Sequence, residues 1–165
     1  MQRLKQMMGR QIQMMTPEYQ ERVKALSPQT RKLLMRIYSQ HSRHSDRITL
    51  RQVMLEVLND YNGMVAGIVT DNPVQAADSA RRLANHRIPR GGLIPYLRIG
   101  DVNDEKLSVL SSFNDSVEGN AKRLADAADD GEMVKAASYL SDITAGCVGC
   151  HNVFRDVPGT TSNLK

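Results

Sequence analysis

Cys147-Val148-Gly149-Cys150-His151 is the stretch from which the rest of the chain is best read. On a helix its two thiols and its imidazole fall at i, i+3 and i+4, so all three face one side. This spacing is the pattern of covalent haem attachment. Each thiol can add to one vinyl group of the ring, and the imidazole then stands beside the ring with a nitrogen free for the iron. The chain contains no further cysteine, so its whole thiol content sits in this motif.

Other uses of the same residues fit less well. A structural zinc site takes four ligands, and the remaining histidines, His41, His44 and His86, form no second knuckle with a cysteine. A thioredoxin-type Cys-x-x-Cys needs strands around it, and no strand pattern surrounds this one. A disulfide between residues three apart in a helix has poor geometry.

Composition sets the frame. A chain of 165 residues can bury one core of useful size. It has no Trp, five Tyr and two Phe. Its apolar content is aliphatic, with Ala, Leu and Met favouring helix. No run approaches the length of a membrane-spanning helix, and residues 1–15 lack the apolar core of a secretory signal. Charge is uneven: residues 1–46 carry nine Lys/Arg and three Asp/Glu, while residues 47–165 carry thirteen and fifteen. A basic arm on a mildly acidic body suits a solvated helical face, an anionic lipid surface or an acidic partner. No nucleic-acid-binding motif accompanies the charge, so nucleic acid is not expected.

Helical periodicity continues upstream. Residues 47–70 form one stripe through Leu50, Met54, Val57, Tyr61, Met64 and Ile68. Asn72-Pro73 has the form of an N-cap followed by proline in the first turn. The helix it opens is expected to run to about Ile88, ahead of Pro89, with Ala76, Ala77, Ala80, Leu83 and Ala84 inward. Residues 89–103 hold three glycines and two prolines and read as a long connection. A third helix follows Asp104, with Leu107, Leu110, Val117, Ala121 and Leu124 on its seam, and Asp129-Asp130-Gly131 breaks it. A fourth runs from near Glu132 to Pro158. In the basic arm, Thr16-Pro17 and Ser27-Pro28 mark two further helix starts.

The motif and its place in the chain resemble the class II c-type cytochromes, the cytochrome c′ family. In that family the attachment motif is also C-terminal and continues His-x-x-aromatic-Arg/Lys; here His151 is followed by Asn152, Val153, Phe154 and Arg155. A turn of the family's Asp-x-Gly-Asp/Glu type is matched by Asp129-Asp130-Gly131-Glu132, and Arg51-Gln52 followed by an apolar run resembles the family's first helix. The resemblance covers about residues 47–157; residues 1–46 lie outside it.

The expected fold is all-α: an antiparallel up-down-up-down four-helix bundle with one covalent haem c. Residues 1–46 form a basic helical extension, 47–157 the cytochrome domain and 158–165 a loose polar tail. The resemblance makes His151 the proximal iron ligand and places Arg155 near the proximal imidazole or a propionate, with Phe154 and Arg51 in the cofactor's surroundings. The distal residue follows the first-helix arginine by four, which selects Leu55. A hydrophobic residue there implies an open iron that binds NO or CO. Met54, one residue earlier, implies instead a six-coordinate electron carrier, because a methionine ligand fills the site and raises the potential. The two differ by about 100° around the helix and both border the stripe, so periodicity leaves the alternative open. A third expectation is a haem-bearing docking subunit that uses the basic arm toward a redox partner. Catalysis is not expected, since no acid–base constellation accompanies the motif. The family implies a homodimer and a periplasmic location, with membrane association through the arm or an upstream tethering segment as a further expectation.

Overall fold

A computed structural model describes residues 2–154 together with residues 163 and 164. Among them every regular element is helical, and the extended backbone amounts to two isolated bridges, Met15 with Leu164 and His44 with Ile88. No described helix is long and apolar enough to cross a membrane.

The elements run α1 (Gln2–Met14), α2 (Pro17–Ala25), α3 (Pro28–Ser39), α4 (Leu50–Val69) and α5 (Pro73–Ala84). Two 3₁₀ turns follow, Ile94–Tyr96 and Ile99–Asp101. Then come α6 (Asp104–Ser108), α7 (Leu110–Asn114), a π turn at Asp115–Gly119, α8 (Asn120–Asp129) and α9 (Met133–Phe154). Both proline starts in the arm are helix starts, and Ser27 accepts from Thr30 N at 3.2 Å. Asn72 caps α5 by accepting from Gln75 N at 3.1 Å. Thr49 and Gln52 close a reciprocal capping box on α4, with Thr49 N donating to Gln52 Oε1 at 2.8 Å and Gln52 N to Thr49 Oγ1 at 3.4 Å.

Three expectations need correction. The third helix, expected unbroken from Asp104 to the Asp129-Asp130-Gly131 turn, is divided into α6, α7, the π turn and α8. The helix expected to reach Ile88 ends at Ala84: Asn85 leaves helical geometry at φ −120°, and Ile88 N donates to Arg43 O at 2.9 Å. The tail residues Asn163 and Leu164, expected to be loose, are held. Asn163 Nδ2 donates to Pro95 O at 2.8 Å and to Tyr19 Oη at 3.1 Å, and Leu164 is buried. A leucine gains more by covering apolar surface than by facing water. The other residues expected in that tail, and Arg155, lie outside the described residues.

The chain divides into two compact units, and the division cuts across the charge boundary at residue 46. The first comprises Met1–Val53, Arg87–Ser111 and Phe154–Lys165. Its core is built from large side chains: Met15, Tyr19, Val23, Leu26, Leu34, Ile94, Leu97, Val102, Leu107 and Leu110, with Met8, Ile12 and Phe154 packed against them. Tyr19 donates to Leu97 O at 2.7 Å, which ties α2 to the 3₁₀ connection.

The second unit comprises Met54–His86 and Ser112–Val153. Nine of the thirteen buried residues in its core are alanines, and Met64, Leu83, Leu124 and Ile143 complete it. Small side chains let helix backbones come close. A Cβ on Gly67 would lie 2.5 Å from Ala76 N, so α4 and α5 touch backbone to backbone there. Arg82 Nε donates to the buried Asp60 at 2.8 Å and joins the same two helices. Arg81 pairs with Asp129 between α5 and α8. At the turn into α9, Gly131 takes φ +74°, a left-handed conformation that favours glycine.

Candidate functional site: two thiols and a histidine on α9

The motif lies in the last two turns of α9, inside the second unit up to Val153. Cys147 and Cys150 are free thiols, both half-buried, and His151 is exposed. The glycines beside them set how deeply they sit. A Cβ on Gly146 would lie 2.8 Å from Ser116 Cβ and 2.9 Å from Val117 Cγ2, and one on Gly149 would lie 3.0 Å from Phe113 Cε1. One face of α9 is therefore pressed against residues 113–117, and the neighbouring face carries the cysteines.

Burial pushes both thiols up. For Cys147 the charge of Glu118 adds to burial; Cys150 is pushed up to about 11 by burial first, then by the charges of Cys147 and Glu118. Neutral thiols are poor metal ligands, since the thiolate is the ligating form. Among the described residues the two cysteines join no group of three or more His, Cys, Asp or Glu side chains close enough to hold one ion.

Glu118 was not expected in this site. It is 9% exposed, sits in the π turn and bonds to His86 Nε2 at 3.2 Å and to Asn114 Nδ2. His86, just beyond the end of α5, is therefore a partly buried partner of a carboxylate. The available signal was a glutamate beside Val117 on an otherwise apolar seam.

On α4, Met54 is half-buried while Leu55 and Leu58 are 59% and 53% exposed. Met64 is fully buried among the alanines, where it serves as core filling. Tyr61 Oη and Thr144 Oγ1 share a hydrogen bond of 2.8 Å between α4 and α9. Arg51 and Phe154 belong to the first unit, and Phe154 packs on that unit's core. The second unit thus contains Met54, Leu55, Cys147, Cys150 and His151 from the expected set.

Compared with protein-family models, curated proteins and solved structures, the chain matches none.

Proposed function

We propose that this chain is a c-type haem protein of the cytochrome c′ kind, with the second unit forming an antiparallel four-helix bundle around one haem c. The observation that carries the proposal is Cys147, Cys150 and His151 on one helix, with large leucines left uncovered on α4. Helix order supports it. Gly67 meets Ala76 and Arg81 meets Asp129; Ser116 meets Gly146 and Phe113 meets Gly149. The short turn between Val69 and Pro73 reverses α4 into α5, Arg81–Asp129 and His86–Glu118 run in opposite senses, and so do 113–116 against 149–146; α4 and α9 therefore also oppose one another. Equal steps outward from the Tyr61–Thr144 bond bring Leu58 level with Cys147, Leu55 with Cys150 and Met54 with His151. A flat porphyrin there would cover Leu55 and Leu58, which otherwise leave costly apolar area in water.

Attachment is an addition: each S–H adds across a vinyl C=C, forming one S–C bond and placing the hydrogen on the other carbon, with no net redox change. His151 would then be placed to bind the iron, and Cys147, packed against the alanine core, would help hold the ring's edge. Bound there, a haem would supply a one-electron iron centre with a position for one further ligand. Leu55 has no atom that ligates iron, so its side chain would leave that position to a small gas such as NO or CO. Electron exchange with a partner protein would use the same chemistry, outside the cytoplasm as the resemblance implies, and no catalytic turnover is proposed. A second reading, a six-coordinate electron carrier, draws on Met54 being the less exposed of the two candidates.

The test is the spectrum of the reduced protein with and without CO, after maturation in a host competent for cytochrome c. A high-spin spectrum that shifts with CO supports Leu55. In that case Leu55→Met should create a low-spin centre and Met54→Leu should change nothing. A low-spin spectrum indifferent to CO, opened to CO by Met54→Leu, transfers the role to Met54. Absence of covalent haem defeats both.

A further inference from the structure

We infer that Glu118 is the buried charge that holds down the reduction potential of a haem attached at Cys147 and Cys150. The inference rests on the cytochrome reading and deepens it. Its geometry lies within the second unit. The π turn Asp115–Gly119 is pressed on α9 at the level of the motif, with Ser116 and Val117 against Gly146 and Phe113 against Gly149. Glu118 follows directly and is withdrawn from water at 9% exposed. His86 Nε2 at 3.2 Å and the Asn114 amide hold its carboxyl group in place. Both cysteines lie within reach of its charge, which contributes to keeping their protons bound.

A charge in a low-dielectric interior acts over longer distances than one in water. Net charge and burial around a haem are among the terms by which a protein sets its potential. Ferric haem carries one more positive charge than ferrous haem. A fixed carboxylate beside the attachment edge therefore favours the ferric state and lowers the potential. Asp115, in the same turn, is exposed and pairs with Arg123 at 2.9 Å. Water and its partner screen it, which makes it the internal control.

The experiment is a mediated redox titration at pH 8 of holoprotein carrying Glu118→Gln, Glu118→Asp, Asn114→Lys or Asp115→Asn. The reduced spectrum checks that axial ligation is unchanged. Glu118→Gln should raise the midpoint potential, and Glu118→Asp, which keeps the charge, should stay close to the parent. Asn114→Lys sets an ammonium on the same carboxylate and should also raise it. Asp115→Asn should leave it in place. A merely structural role would move the Gln and Asp variants alike, and that result overturns the inference. So does an unchanged potential in Glu118→Gln. Should Glu118→Gln yield no folded holoprotein, Asn114→Lys decides in either direction, because it leaves Glu118 where it is. Lack of covalent haem in the parent defeats the cytochrome reading and this inference with it, whereas haem with an indifferent potential defeats this inference alone.

Discussion

The two units solve the packing problem with different materials. The first gathers large side chains from α1, α2, α3, α6 and α7 and from a 3₁₀-rich connection. The second uses alanine almost throughout and lets helix backbones approach. They are as different in charge. The first carries seventeen Lys/Arg and seven Asp/Glu, net +10; the second carries five and eleven, net −6. Large side chains can knit short, irregular segments together, because each reaches several neighbours. An alanine seam buries little area per residue and depends on long straight helices in close register. The second unit therefore places α9 and its motif with backbone precision, while the first supplies bulk and positive charge.

The largest effect that separates the units is chemical. Replacing Cys147 and Cys150 together by serine should remove all covalent haem, read as loss of the haem mass from the denatured chain, and leave hydrogen-exchange protection of α2 and α3 in place. If protection there collapses with the haem, the units are not energetically separate. Next come the cores. Leu107→Ala, at a fully buried site of the first unit, should cost about 2–5 kcal/mol in denaturant unfolding. Gly67→Ala should cost about 1–3 kcal/mol, because its methyl would press on backbone that cannot yield. If Gly67→Ala is harmless, the close approach of α4 to α5 is not what orders the second unit.

A further contrast is set by pH. In folded, haem-free protein both thiols are raised above their unfolded values. Their contribution to stability is thus fully present below the unfolded value, about 8.5, and is lost as pH rises through the folded one, about 11 for Cys150. Thermal unfolding of haem-free protein should show this alkaline loss, and the double serine variant should show less of it, keeping only the later loss from the buried tyrosines Tyr19, Tyr38 and Tyr96. The smallest effect belongs to the first unit. Among the described residues both polar atoms of the Gln11 side chain are buried without a hydrogen-bond partner, so Gln11→Leu should stabilise by about 1 kcal/mol in a urea melt. A destabilising outcome would mean that the amide serves a contact absent from the described residues.

Much of the helical layout was legible because it is written in strong signals. Thr16-Pro17, Ser27-Pro28 and Asn72-Pro73 start helices, and Asp129-Asp130-Gly131 ends one, each by local backbone chemistry. That Cys147, Cys150 and His151 share one helix was legible for the same reason. The joining of residues 87–111 to the N-terminal segment was not, since it depends on tertiary contacts such as Arg90 N to Ile48 O at 2.9 Å. The early end of α5 was hidden because Asn85, His86, Arg87 and Ile88 continue a permissible helix until Ile88 is drawn elsewhere. Glu118 escaped because a charged residue beside an apolar seam ordinarily points to water. Met54 and Leu55 stayed equivalent because both flank the stripe. Their unequal exposure is a property of the folded helix pair.

The π turn at Asp115–Gly119 gives this chain a rotational adjustment. An extra residue in one turn twists everything before it by about 100° relative to an unbroken α-helix, with little change in length. Phe113 and Ser116 can thus look toward α9 while Ala121, Leu124 and Ala128 look into the alanine seam. Deleting one residue from this turn would leave the helix continuous but out of phase, like a key cut correctly and turned in the lock.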